Sequence, residues 1–167
     1  MLREFPLPSL SLPIDARPEL VFQLIRAVGQ GPDAKHARVV ERPAPDRAIV
    51  EFMTSLPLWT VRTLEEVVFI PPDRITYRLL RGPLPEVHEE FRLEAADGGT
   101  VLRYSGTFRA HEPWPRTLVD RLVVPRLYRR AVLKTMQGIK RAAEDRQRRS
   151  RLFPPSNTPG THSFDLL

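Results

Sequence analysis

Tyr128-Arg129-Arg130-Ala131-Val132-Leu133-Lys134-Thr135-Met136-Gln137-Gly138-Ile139-Lys140-Arg141-Ala142-Ala143 is the stretch around which the rest of the chain can be read. Apolar or small residues fall at Tyr128, Ala131, Val132, Thr135, Met136, Ile139, Ala142 and Ala143. That i, i+3, i+4, i+7 rhythm predicts a helix with one buried stripe. The other face is basic or polar, through Arg126, Arg129, Arg130, Lys134, Gln137, Lys140 and Arg141. A long amphipathic helix that follows one curved antiparallel sheet buries its stripe most naturally against the concave face. That geometry encloses a pocket.

Working back from the helix, six strand-like runs precede it: 37–41, 47–55, 58–70, 74–80, 86–95 and 100–110. Turn chemistry separates them at Pro43-Ala44-Pro45-Asp46, Leu56-Pro57, Pro71-Pro72-Asp73, Gly82-Pro83 and Asp97-Gly98-Gly99. These connections are too short for parallel crossovers, so an antiparallel meander is predicted. Alternation is cleanest late in the series. Val87, Glu89, Phe91 and Leu93 share one face, and Leu102, Tyr104, Gly106 and Phe108 share another. Gly106 in mid-strand suggests a kink or bulge that lets the sheet curl.

At the start, Leu10, Leu12 and Ile14 alternate with Ser9, Ser11 and Pro13, which suits a short edge strand. Asp15 is placed as the N-cap of a helix with Pro18 in its first turn, Val21, Leu24, Ile25 and Val28 on one face, and Gly29 as its stop. Pro125 is expected to break or kink the last helix, because the apolar positions Leu118, Val119, Leu122 and Val123 lie on a different side from the later stripe. The long helix is then expected to reach about Arg146. The organisation read from this is one domain over residues 1–149 and a flexible C-terminal tail over 150–167.

The chain has 167 residues, no cysteine and a formal net charge of +6. Disulfides, thiol nucleophiles and cysteine-ligated metals are excluded. The start, Met1-Leu2-Arg3-Glu4-Phe5-Pro6, does not read as a signal peptide and no stretch reaches transmembrane length, so a cytoplasmic protein is expected. His36, His88, His111 and His162 show no metal-ligand spacing, and no phosphate-cradling glycine loop or nucleophile elbow is present. No cofactor or metal is implied. The positive charge is concentrated between Arg116 and Arg151, which reads first as the solvated face of a long helix.

Three stretches resemble the START/Bet v 1-like (SRPBCC) superfamily, closest to the bacterial polyketide cyclase/dehydrase-like group. They are Leu12-Pro13-Ile14-Asp15-Ala16-Arg17-Pro18-Glu19-Leu20-Val21-Phe22, Arg74-Ile75-Thr76-Tyr77-Arg78-Leu79-Leu80-Arg81-Gly82-Pro83-Leu84 and Asp97-Gly98-Gly99-Thr100-Val101-Leu102-Arg103-Tyr104. The resemblance covers roughly residues 8–146. It implies an α+β helix-grip fold: a seven-stranded curved antiparallel sheet wrapped around a long C-terminal helix. Members bind hydrophobic or amphipathic small molecules, and some catalyse. No family-wide catalytic motif carries over.

Glu89 is the most unusual position, because alternation points it at the pocket beside Val87, Phe91 and Leu93. A carboxyl there has a raised pKa unless a donor pairs with it. It is the candidate general acid or base, or the group that orients a ligand; the alternative is a place at the pocket mouth or beside an arginine. Tyr77 and Tyr104 could present hydroxyls to a ligand carbonyl or be core residues with satisfied hydroxyls. The candidate ligand-binding set is Phe52, Trp59, Tyr77, Glu89, Phe91, Tyr104, Phe108, Tyr128, Val132 and Met136. Glu65 and Glu66 point to opposite faces of their strand, and the preferred reading is a salt-bridged surface pair.

Three functions compete. The first is binding or transport of a small hydrophobic or amphipathic ligand (lipid-, quinone- or polyketide-like) in the cavity between sheet and helix. The second is a polyketide cyclase/dehydrase-type enzyme using the inward carboxylate. The third is an interaction protein that meets RNA or an anionic membrane through Arg126–Arg151. Oligomeric state is open.

Overall fold

A computed structural model describes residues 2–27, 36–55, 60–83, 86–111 and 118–152; among these, the side chains of Leu2, 110–125 and Leu127 are not described. The strands are β1 (Leu2–Pro6), β2 (Leu10–Ile14), β3 (Ala37–Ala44), β4 (Arg47–Ser55), β5 (Thr60–Ile70), β6 (Arg74–Arg81), β7 (Glu86–Ala96) and β8 (Gly99–His111). Helix α1 (Pro18–Arg26) lies between β2 and β3, and α2 (Leu118–Leu152) follows β8. The sheet runs in the order β1-β8-β7-β6-β5-β4-β3, with β2 also paired to β8 and every pairing antiparallel. This is the helix-grip arrangement expected from the sequence: an α+β fold with an open antiparallel sheet and a long C-terminal helix.

The sheet has eight strands rather than seven. The additional β1 pairs with the far half of β8, and Phe5 stacks on Phe108 with ring centroids 5.4 Å apart. Its five residues end on a proline and are too short to stand out by alternation. β1 and β2 together act as one broken edge strand along β8. Pro6 faces Thr107 and Leu10 faces Tyr104, so three residues (Leu7, Pro8, Ser9) oppose two (Ser105, Gly106). The break expected at Gly106 is therefore a bulge in its partner. The Gly106 carbonyl accepts from the Leu7 amide at 2.9 Å. A β-carbon on Gly106 would lie 2.7 Å from the His88 carbonyl oxygen and 3.2 Å from Glu89 Cγ, so only glycine fits.

Two expectations about helices are corrected. Arg17, not Asp15, is the N-cap of α1, and no side chain caps it. The Asp15 amide instead donates to Glu144 Oε1 of α2 at 2.9 Å. Helix α2 continues through Pro125 without interruption and ends at Leu152, so Ser150–Leu152 belong to the helix rather than the tail. Proline removes one backbone hydrogen bond, and the 35-residue helix is not broken by that single loss. Val28, Gly29, the 30–33 loop, Trp59 and everything from Phe153 onward lie outside the described residues.

The core forms where α1 and the later part of α2 cover the sheet. Val21, Phe22 and Ile25 of α1 and Met136 and Ala143 of α2 are buried against Phe69, Ile75, Leu93 and Leu102. Polar contacts lock α2 at this end. Lys140 Nζ donates to the Pro13 carbonyl at 2.7 Å and pairs with Glu144, which takes Lys140 off the solvated face where the sequence placed it. The buried Gln147 accepts from the Arg17 amide at 3.5 Å, and Thr100 Oγ1 donates to the Ala16 carbonyl at 2.6 Å.

Candidate ligand site

Pairing registers define how side chains line up across the concave face. One rung runs Phe69, Ile75, Phe91, Tyr104, Leu10, and the next runs Leu93, Leu102, Leu12. The Phe69–Leu10 and Leu93–Leu12 rungs are closed over by α1 and α2. Toward the other end of the strands the rungs change character. Val67, Tyr77, Glu89 and Gly106 form one, and Val50, Glu65 and Leu79 form the next. Two carboxyls therefore face inward, at the end where α2 begins.

Glu89 has the pairing that an inward carboxylate needs. The Tyr104 hydroxyl donates to its Oε1 at 2.6 Å, and the Tyr128 phenol of α2 lies near enough to feel the Glu89 charge. Burial, then the Glu89 charge, holds the Tyr104 and Tyr128 phenols well above the ordinary range, so both remain donors at any working pH. Tyr77 is likewise raised, by burial and then by Glu65 and Glu89.

Glu65 corrects the sequence reading. Only Glu66 is a surface ion pair, to Arg78 at 2.9 Å and Arg47 at 3.4 Å. Glu65 points into the hollow, where Thr63 Oγ1 donates to its Oε1 at 2.6 Å. Burial first, and the Glu89 charge second, push the Glu65 carboxyl up to about 7, against a small opposing effect from Thr63. A signal for this was present: Val67 and Phe69 share Glu65's parity and are both fully buried.

Aromatic rings line the same face. Phe52 and Tyr77 lie 6.3 Å apart, Tyr77 and Phe91 meet edge-to-face at 5.7 Å, and Phe91 and Tyr104 tilt at 5.5 Å. The structure thus brings together Phe52, Tyr77, Glu89, Phe91, Tyr104 and Tyr128. Val132 packs on the core beside them, Met136 is fully buried below, and Phe108 stacks on Phe5 near the sheet edge. Phe52, Glu65, Tyr77, Glu89, Tyr128 and Val132 keep partial solvent contact although all face inward.

The sheet's other face is different. A groove of about 560 Å³ crosses it, lined by Glu66, Arg78, His88, Glu90 and their neighbours on this face and also by Tyr77, Glu89 and Gly106. Its charged residues answer one another in cross-strand and same-strand pairs, such as Arg92 with Glu90 at 3.3 Å and His88 with Glu86 at 3.1 Å. That is a solvated sheet surface.

A family model described as "Polyketide cyclase / dehydrase and lipid transport" matches residues 9–144. The chain belongs to this family. Among solved structures, this cyclase/dehydrase-family chain superposes on TTHA0849 from Thermus thermophilus with a TM-score of 0.68 at 19% identity, covering 82% of this chain and 95% of that one. It superposes on the di-domain ARO/CYC StfQ from the steffimycin biosynthetic pathway with a TM-score of 0.70 at 20% identity, covering 87% of this chain but only 51% of that one. A START superfamily protein from Mycobacterium smegmatis gives 0.57 at 14% identity, covering 87% and 99%. At these identities the likeness is one of fold. No curated protein matches the sequence. Among the described residues no helix is long and apolar enough to cross a membrane.

Proposed function

We propose that the protein binds a small, mostly apolar molecule in the hollow between the sheet and the first half of α2. The polar end of that molecule would meet Glu89, Tyr104 and Tyr128, with Glu65 facing it from β5. The observation that carries this reading is the partial exposure of inward-facing Phe52, Tyr77 and Val132 around a hydrogen-bonded carboxylate. Apolar walls supply affinity at about 25 cal/mol per Å² buried, and a few convergent polar groups supply orientation. Native mass spectrometry of freshly purified protein is the direct test. A retained small molecule that dissociates on denaturation is expected. A protein that carries none and takes up no apolar dye would refute the reading.

One observation favours a second reading, acid–base catalysis of the cyclase or dehydratase kind. A carboxyl held near 7 can both give and take a proton at neutral pH, and it sits beside phenols able to polarise a carbonyl. Glu65 would move the proton, Glu89 would orient Tyr104 and Tyr128, and the aromatic walls would hold a reactive chain folded. Turnover of a polyketone substrate would then follow a group titrating near neutrality. Glu65→Gln should cut that turnover by about a hundredfold or more while reducing ligand retention far less. Equal losses in both would leave only the binding role.

A further inference from the structure

The cations of α2 are arranged differently from those of the sheet. On the sheet, six arginines answer carboxylates: Arg38 pairs with Glu51, Arg47 and Arg78 with Glu66, Arg92 with Glu90, Arg103 with Glu94, and Arg109 with Glu4 and Glu86. Arg62, Arg74 and Arg81, which have no such pair among the described residues, lie at or near strand ends. On α2 the ion pairs among the described residues are Lys140 with Glu144 and Arg151 with Asp15. Arg130, Lys134 and Arg141 are exposed and have no carboxylate partner among the described residues. Arg148 is also exposed and lies near Glu144, which already accepts from the Asp15 amide and Lys140. Asp145 is the one exposed acid among the described side chains of the helix.

Spacing turns these cations into a row. At about 100° per residue, Arg130, Lys134, Arg141 and Arg148 fall within about 40° of one another, away from Tyr128, Val132, Met136 and Ile139 on the core side. At about 1.5 Å of rise per residue, the row is about 27 Å long. Leu152, 66% exposed, extends it by about one turn. Attraction of cations to a helix C-terminus accounts for Arg146 to Arg151, but not for Arg130, Lys134 and Arg141 in mid-helix. A face that is merely solvated mixes its signs, because opposite charges at i, i+4 stabilise a helix and like charges such as Arg130 and Lys134 do not.

A straight cationic row suits a flat polyanion. On a bilayer surface every cation in one narrow sector reaches a lipid phosphate at once, and arginine takes phosphate through parallel N–H donors. The exposed leucine at the end of the row adds an apolar contact that only a lipid surface uses. In a nucleic-acid duplex each strand returns to the same side only about every 34 Å, so the row would meet few phosphates. Single strands are bound on aromatic platforms, and Tyr128, the one aromatic residue between Arg126 and Leu152, packs on the core.

We propose that the outward face of α2 docks the protein on an anionic phospholipid membrane, with Arg130, Lys134, Arg141 and Arg148 on lipid phosphates and Leu152 at the acyl boundary. The protein lies on the bilayer rather than spanning it. This surface acts whatever the hollow binds.

Co-sedimentation of the full chain with phosphatidylcholine vesicles, with and without phosphatidylglycerol, tests it. Retention is expected on the anionic vesicles alone and should fall as salt is raised. Each cation near such a surface contributes about fivefold, so Arg130→Gln/Lys134→Gln/Arg141→Gln should lose about a hundredfold in affinity. Glutamine keeps the helix propensity of these exposed positions, and an unchanged urea midpoint shows that the fold is intact. Arg47→Gln/Arg92→Gln/Arg103→Gln removes the same charge from the sheet and should stay within about threefold of wild type, which separates the row from net charge. Leu152→Ser should weaken retention on vesicles. Absent retention, equal retention on neutral vesicles, or equal losses in the two triple variants overturns the proposal. Tighter binding to an RNA duplex than to anionic vesicles at equal phosphate concentration overturns it in favour of nucleic acid.

Discussion

The Glu65 carboxyl makes the fold's stability depend on pH between the acid range and neutrality. Its pKa rises from 4.5 to about 7 on folding, chiefly through burial. A folded value above the unfolded one means the native state binds more protons between the two, so stability falls as the pH rises across that window. Below about 4.5 the group is protonated in both states and costs nothing. Above about 7 it is ionised in both, and the buried charge carries its full penalty. At about 1.4 kcal/mol per pH unit, that penalty amounts to up to about 3 kcal/mol. Glu65→Gln removes the charge and keeps an acceptor for Thr63. Urea denaturation of wild type and variant between about pH 4.5 and 8 should show equal stability at the acid end. The variant should gain progressively, to about 2–3 kcal/mol above neutrality. Because the Glu89 charge is the second cause of the shift, Glu89→Gln should shrink the gap measured in its background. A difference between the curves that stays flat with pH would refute the placement of Glu65 inside the hollow.

Two further outcomes follow from the close contacts at the sheet's edge and the helix anchor. Gly106→Ala places a β-carbon against the His88 carbonyl and the Glu89 stem, with no flexible partner to give way at the carbonyl, so a loss of about 1–3 kcal/mol by chemical denaturation is expected; an unchanged midpoint would mean that β8 is not drawn this tightly to β7. Glu144 has the opposite sign to Glu65: the Asp15 amide first, and Lys140 next, hold its carboxyl below the ordinary range, so its contribution is full above about 4.5 and is lost as the pH falls through the lowered folded value. Glu144→Gln should therefore be less stable than wild type at pH 6 and converge with it in stronger acid, and a gap that persists there would refute the anchor.

The residues legible in the sequence are those whose period has one explanation. The stripe from Tyr128 to Ala143 and the alternation in β7 and β8 each have apolar side chains on one face, Glu89 excepted, and polar or charged ones on the other, and the fold follows from them. Glu65 is harder because it stands next to Glu66 in a strand that also carries Arg62, and two adjacent acids beside an arginine resemble an exposed surface. The partners that decide the matter, Arg47 and Arg78 for Glu66 and Thr63 for Glu65, come from neighbouring strands or from the same strand two residues away. Pro125 misleads for a different reason. Local chemistry says that proline interrupts a helix, but the loss of one backbone hydrogen bond does not end a 35-residue helix.

The position of the polar cluster along the sheet is itself informative. α2 is bound to the β2–α1 junction at Glu144 and Gln147, and Tyr128, 16 residues before Glu144 and about 24 Å up the helix axis, brings it near Glu89. At the anchored end the inward side chains of Phe69, Ile75, Leu93 and Leu102 are each at most 3% exposed. At the other end the same strands, with the same alternation, place carboxyls and phenols on the inward face, beside the buried Val50 and Val67 and the partly exposed Phe52 and Leu79. Valine or leucine at 65 and 89 would close that end and spare the fold a buried charge. A foldable sequence departs from such local consistency mainly where the departure has a use, and here the departure sets two inward carboxyls beside the Tyr104 phenol.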